Sequence, residues 1–304
     1  MRPALSVIFF TTASGAGYGL LGLLGLLAPA GLTPATPWFG LASNGLGLAL
    51  VTAGLLASVF HLGHPERAWR AMTQWRSSWL SREGVAAVVA YPIFLAFAAS
   101  WIIFGRPNAI LGFIAALIAT TTVFCTGKIY STLRPIRQWH HPLTVPGYLL
   151  LSIFTGLSLL AALTLSPRIG VAAAVMAIAA LGLKYRYWHS IDRSLSATTL
   201  ATATGLGQLG QVRMLDPPHA TPNYLMHEMG YRIARANSAR LRRAVLGAGF
   251  AVPALLLLLG IAGGPLGVLA PVAALLSLIG TLGERWLFFA EATHTQALYY
   301  GLNP

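Results

Sequence analysis

Eight apolar runs, each close to the roughly 20 residues that a bilayer-crossing helix requires, occupy most of this chain. They fall at roughly 4–28, 39–62, 84–104, 110–132, 146–166, 169–189, 244–263 and 266–289. Gly and Pro interrupt several of them. Membrane helices tolerate this because neighbouring helices re-satisfy the freed backbone groups. Of the 304 residues, 56% are hydrophobic and 9% charged, whereas soluble domains carry about 25% charged residues. An ordinary soluble enzyme is thereby excluded, and so is a disordered chain, which needs few apolar residues and many charges. The expected fold is an all-α integral membrane protein with eight transmembrane helices in one polytopic domain, 1–304. Ala28-Pro29-Ala30 has the small-residue look of a signal cleavage site. The apolar stretch before it is about twice a signal peptide's usual length, so an uncleaved first helix is expected.

The basic residues sort sharply between the two faces that eight spans define. Eighteen of the twenty Lys and Arg fall on the face holding the N-terminus or at helix ends beside it; only Arg106 and Arg168 fall on the other. By the positive-inside rule the first face is cytoplasmic, with both termini inside. The same face receives all eight histidines and all seven acids, leaving little that titrates near the midplane. Proton pumps and ion-coupled transporters generally need ionisable groups or broken helices there, so transport is disfavoured and the chemistry is expected at the cytoplasmic face. A net charge of +13 does not point to nucleic acid, because these charges flank apolar spans.

The longest connection, 190–243, lies on that face and exceeds the usual loop length. Its first half, Ser194 to Pro222, is rich in Ala, Thr, Gly and Pro and reads as irregular. Its second half, Tyr224 to Arg243, reads as a basic amphipathic helix with Leu225, Met229 and Ile233 on one stripe. Arg232, Arg235 and Arg240 there suit anionic lipid or the docking of a cytoplasmic subunit. The two roles are compatible.

Several motifs have bland readings. Gly17–Gly22 and Gly205–Gly210 both match G-x-G-x-x-G, but a dinucleotide site needs a strand before and a helix after. The first lies inside a span, where small residues favour close helix packing. The single cysteine, Cys125, sits within an apolar run and reads as a packing residue. One thiol cannot hold an Fe–S cluster, which usually takes four, so any such cluster belongs to a partner. Lys128 and Glu284 lie near helix ends, where long side chains can snorkel toward water. His61 and His64 could bind metal, pair with His189 around a haem, or simply sit at the interface.

The connector from His61 to Glu83 holds the densest chemistry: three tryptophans, four arginines and two glutamates between two spans. Trp69, Trp75 and Trp79 suit an interfacial belt. His61 and Glu83 stand at its two ends, where adjacent helices would bring them together. A quinone needs an apolar slot, a hydrogen-bonding group at its carbonyl and a group that exchanges protons with water. An imidazole and a carboxylate near the aqueous boundary supply the polar roles.

The run HLGHPERAWRAMTQWRSSWLSRE, with SVIFFTTASGAGYGLL, TGKIYSTLRPIRQWHHP and GERWLFFAEATH, resembles the membrane anchor subunits of dimethyl sulfoxide reductase-type molybdoenzymes. EMGYRIARANSARLRR and the ERWLFFAEATH ending look more like the anchors of cytoplasmic sulfite dehydrogenases than that of the enteric sulfoxide reductase. The resemblance implies eight helices, no metal in this chain, and exchange with ubiquinone or menaquinone beside an Fe–S subunit. It implies too that such a complex is completed, on the cytoplasmic side of a bacterial inner membrane, by a molybdopterin catalytic subunit. Finally, it implies a quinone-binding and proton-exchange site at His61 and Glu83, with a match to Tyr130 nearby; His64 and Arg82 of the same connector complete the set of candidate residues.

Overall fold

A computed structural model describes residues 4–60, 62–194, 198–216 and 232–300, the side chains of 232–236 and 300 excepted. Among the described residues eight helices are long and apolar enough to cross a membrane. They are α1 (Leu5–Leu27), α2 (Pro37–Val59), α3 (Trp79–Phe104), α4 (Ala109–Ser131), α5 (Thr144–Thr164), α6 (Pro167–Arg193), α7 (Asn237–Ile261) and α8 (Leu266–Ala290). Among the described residues the architecture is therefore all-helical, with eight candidate membrane spans.

Local chemistry sets several helix ends. Thr36 caps α2 by accepting from Phe39 N–H at 3.3 Å, with Pro37 preset at the first helical position. Asn108 caps α4, accepting from the N–H groups of Ile110 and Leu111 at 3.0 and 3.1 Å. Ser78 caps α3. Its cap lies ahead of the apolar run, so the helix starts at Trp79 and Glu83 sits inside its first turns rather than at the end of a connector.

Helix α1 is the most enclosed of the eight. It packs on α2, α4, α5 and α8; α3 closes against α2 and α4, and α6 and α7 complete the other half around α5 and α8. The Gly17–Gly22 motif is a packing device. A Cβ on Gly17 would strike Gly47 and Val51 of α2, and one on Gly19 would strike the backbone of Ser152 in α5.

In α7 the residues Val245–Ala251 form a π-helical turn, with Val252 N–H bonding Gly247 O. Pro253 accounts for it: with no N–H, it cannot bond the carbonyl four residues back, and the helix widens instead. Gly249, in that turn, lies directly against Gly280 of α8.

The segment 194–216 is not wholly irregular: it holds a short helix, Leu200–Thr204, capped reciprocally by Thr199 and Thr202, and a 3-10 turn, Leu206–Leu209. The basic helix read over 224–243 is described from Arg232; Leu225 and Met229 lie outside the described residues. The 61–83 connector holds a 3-10 helix, Pro65–Met72.

Candidate functional site

Glu83 is 5% exposed. It lies four residues, about 6 Å, past the start of α3. Its Oε1 accepts the hydroxyl proton of Thr126 on α4. Among the described residues no cation stands at ion-pair distance from it, and it lies within electrostatic range of Tyr18, Cys125, Tyr130 and Tyr148. A buried carboxylate with one hydroxyl donor and no counter-ion is costly, and such groups in membrane helices mark functional sites.

Tyr130 ends α4 in an aromatic nest. Its ring stacks on Tyr148 with centroids 5.6 Å apart and meets Trp139, Phe288 and Phe289 edge-on at 5.3–5.6 Å. Trp139 is fixed by its Nε1–H, which donates to Phe288 O at 2.9 Å. A cleft of about 410 Å³ opens beside this nest, lined by Phe124, Lys128, Ser131, His140, His141 and Val145. The Lys128 ammonium lies 5.8 Å from the centre of the Trp79 ring and 5.6 Å from that of Phe124.

The other expected site residues sit farther toward solvent. His64 Nδ1 lies 3.0 Å from Glu66 Oε1, both side chains exposed. Arg82 donates to the carbonyls of Trp75 and Arg76 at 2.9 and 2.7 Å and lies over the Trp79 ring at 4.3 Å. It thus fastens the end of the connector to the start of α3. His61 lies outside the described residues. His189 is exposed and stacks on Tyr185. Arg240 is exposed on α7; Arg232 and Arg235 belong to the same helix, their side chains outside the description.

The larger surprise is a cluster of ionisable side chains inside the bundle. Lys184 Nζ lies 2.6 Å from Glu284 Oε1, and Glu284 Oε2 lies 3.4 Å from Arg285 Nη1. The three residues are 4%, 1% and 3% exposed. The expectation that Glu284 snorkels to water is therefore wrong. It lies on the buried face of α8 and finds Lys184 across the interface. Lys184 also covers the Tyr187 ring at 3.8 Å, and Arg285 the Tyr148 ring at 3.5 Å, so both cations rest on aromatic faces.

Nearer the surface, Arg242 of α7 ties three helices together. It donates to both carboxylate oxygens of Glu291, at 2.8 and 3.1 Å, and to Asp192 at 2.7 Å. Burial raises Glu291 above the usual carboxylate range, and the Arg242 bonds oppose that rise. His141 accepts Leu143 N–H on Nδ1 at 3.2 Å and faces Ser190 Oγ with Nε2 at 3.1 Å, which fixes the Nε2-protonated tautomer. Burial, then Lys184, pushes its pKa below the ordinary value of 6.5. Among the described residues no three His, Cys, Asp or Glu side chains converge as a metal site.

With this geometry in place, comparison with known proteins decides the family. The model of the family described as DMSO reductase anchor subunit (DmsC) matches residues 1–302. The chain belongs to that family. It is thus a membrane anchor subunit of an oxidoreductase complex. A subunit of the sulfite dehydrogenase of Allochromatium vinosum is 33% identical over 327 aligned residues, covering 99% of each chain.

In this DMSO reductase-type anchor, the reading of the residues alone missed Thr126, Lys184, Arg285, Tyr18 and Tyr148. A signal for Lys184 existed. Lys184, Tyr187, Trp188 and Ile191 are all buried and recur at i, i+3, i+4 and i+7, one face of α6. Ser277, Gly280, Thr281 and Glu284 trace the matching buried stripe on α8.

Proposed function

We propose that this chain is the quinone-reactive anchor of a three-subunit molybdenum/Fe–S oxidoreductase that oxidises sulfite. It would pass electrons between a partner's Fe–S clusters and ubiquinone or menaquinone. The observation that carries this reading is Glu83, a buried carboxylate near the N-terminal face of α3 with a hydroxyl partner and an aromatic neighbourhood. The full-length relation to a sulfite dehydrogenase subunit supports the direction of electron flow.

The residues fit a quinone. A ring of that size needs an apolar opening, here the cleft where Phe124 and Val145 stand beside Lys128 and His140. Its carbonyls want polar partners, for which His61 and Glu83 are the candidates. When bound, a quinone exchanges two electrons and two protons. The part of Glu83 is to hold one such proton out of bulk water. Thr126 orients the carboxylate by donating to Oε1, which leaves Oε2 for the quinone side. Arg82 acts at one remove, by fixing the chain that leads into α3.

The same logic assigns the N-terminal face to the cytoplasm and to the partners. The Fe–S subunit and the molybdopterin subunit would dock there, on Arg232, Arg235, Arg240 and the exposed Trp69 and Trp75. The relevant membrane is then the bacterial inner membrane.

Two activities of one membrane preparation test the reading: sulfite oxidation coupled to decylubiquinone, and the same oxidation coupled to ferricyanide. Glu83→Gln and His61→Ala are expected to lower the first at least tenfold and leave the second and the assembled complex intact. Full quinone coupling in both variants overturns the assignment. Quinol-driven sulfoxide reduction without sulfite oxidation would move the chain to the other branch of its family.

A further inference from the structure

Thr120, Phe124, Lys128 and Ser131 recur at i, i+4, i+8 and i+11 and so form one stripe along α4. Val145, Leu149 and Ile153 do the same along α5, which packs against it. The ends of these stripes nearest the N-terminal face line the cleft described above: Phe124, Lys128 and Ser131 on α4, Val145 on α5. The deeper ends, Thr120, Leu149 and Ile153, line a second cavity of about 150 Å³ whose walls also include Ala119 and, from α1, Gly22 and Tyr18. The α4–α5 seam thus carries a cleft at the face and a slot about one helical turn, or 5.4 Å, farther in.

The two cavities differ in chemistry. The cleft is of mixed polarity, with Lys128 and His140 beside Phe124 and Val145. Among the described residues no charged side chain lines the slot. Its Thr120 hydroxyl donates to Ala116 O at 2.8 Å and its Ser152 hydroxyl to Gly15 O at 2.6 Å, so both protons are spent on backbone carbonyls. Small side chains keep the slot open: a Cβ on Gly22 would stand 3.3 Å from that of Ala119. Thr120 is exposed and Ile153 is 40% exposed, so the slot opens sideways, away from the helix bundle. Thr120 lies eleven residues before Ser131, which at 1.5 Å per residue is about 16 Å. That is about half the thickness of a bilayer's hydrocarbon core, so the slot opens at the midplane.

We propose that the slot receives the isoprenoid tail of the quinone whose ring occupies the cleft, and so selects tailed quinones over tailless ones. This rests on the reading of the chain as the quinone-reactive anchor. A polar ring carrying a long hydrocarbon tail matches a cleft of mixed polarity continued by an apolar slot. An apolar cavity of about 150 Å³ is enough for a benzene-sized hydrocarbon. The slot therefore fits the start of the tail, and the remainder leaves between Thr120 and Ile153 into the lipid. A phospholipid is the competing occupant, since an acyl chain would also suit the slot. Its phosphate finds no set of free donors in the cleft, however. The Lys128 ammonium lies beside the Trp79 and Phe124 rings, and His140 Nδ1 donates to Ser131 O at 2.6 Å.

The tail dependence of turnover in the intact complex tests this. Sulfite oxidation is coupled to two ubiquinone analogues, one without a tail and one with two isoprenoid units, in preparations matched by their ferricyanide-coupled rate. In the parent the tailed quinone should have a KM at least tenfold lower. Thr120→Trp on α4 and Ile153→Trp on α5 each place an indole at the slot and should shrink that advantage at least fivefold, through KM rather than kcat. Thr121→Trp makes the same change at an exposed position of α4 that lines neither cavity, and should keep the parent's ratio. Partition of the tailed quinone into detergent is common to all variants and cancels in the comparison.

The parent's ratio in both slot variants, with Glu83→Gln impaired toward both quinones, overturns the tail slot alone and leaves it to lipid. Full turnover of both quinones in Glu83→Gln overturns the quinone-site reading and the slot with it. A second measurement needs no slot variant to fold. A ubiquinone with a photoreactive diazirine on its first isoprenoid unit should label the parent's α4 and α5 peptides around Thr120 and Ile153. Label confined to other helices overturns the proposal.

Discussion

Lys184 of α6 and Glu284 of α8 meet at 2.6 Å inside the helix bundle, each almost wholly removed from solvent. Neither would tolerate that position alone. Breaking a buried pair by removing one partner typically costs about 3–5 kcal/mol, because an uncompensated charge is left behind. The two halves of this pair are not equivalent, however, since Arg285 also borders Glu284.

Glu284→Gln strands two cations, whereas Lys184→Met leaves a neutral Glu284–Arg285 pair. Glu284→Gln should therefore lower the thermal midpoint of the detergent-solubilised protein more than Lys184→Met. The expected cost is about 3–5 kcal/mol for the first. Equal midpoints, or the reverse order, would show that Arg285 does not compensate.

The α7–α8 crossing depends on having no side chains at Gly249 and Gly280. A Cβ on Gly249 would sit 2.6 Å from the Cα of Gly280. Gly280→Val must then push the helices apart at the π-helical turn, at a cost of about 1–3 kcal/mol or more. Gly182→Ala on α6 meets nothing within 4 Å and serves as the contrast. Unfolding midpoints of the two variants should differ by several degrees, with the first lower.

His141 gives the N-terminal face a pH response of known sign. Its folded pKa lies below the ordinary 6.5, so the folded state binds fewer protons than the unfolded state through that window. Its stabilising contribution is full above 6.5 and is lost as pH falls through the lowered folded value. Protonation at Nδ1 removes the acceptor of Leu143 N–H at the start of α5. The midpoint of the parent should drop on acidification below pH 6.5 more than that of His141→Gln. Parallel curves would refute the assignment.

Arg242 should behave as a latch across three helices. Arg242→Met leaves Glu291 largely buried without its two bonds and frees Asp192. Charged hydrogen bonds are worth about 1.5–3 kcal/mol each when their loss leaves a buried group unpaired. Limited proteolysis should cut near 194–216 faster in the variant, while Arg240→Met, on an exposed side chain, should leave the rate unchanged.

What could be read from the amino acids alone was what run length and one-dimensional periodicity encode. Eight apolar runs specified eight helices, because about 20 apolar residues in sequence leave few alternatives. Their ends shifted where a cap lay outside the apolar run, as with Ser78 ahead of α3. The chemistry of the connector also drew attention to Glu83. Its partner did not show itself, because Thr126 looks like any small polar residue of an apolar helix. Lys184 and Glu284 are 100 positions apart. Each alone resembles a charge near a helix end; only packing reveals that they face inward and meet. The unpaired buried hydroxyls of Tyr18, Tyr148 and Thr281 and the Nε of Arg285 come from three different helices, and no spacing in sequence brings them together.

The measurement that bears most directly on the central claim is equilibrium binding of radiolabelled decylubiquinone to the purified complex. One quinone should bind per copy of this chain. Glu83→Gln should weaken binding at least tenfold, and the soluble partner subunits without this chain should bind none. Undiminished binding to Glu83→Gln, or equal binding by the partners alone, would place the quinone site elsewhere and contradict the account.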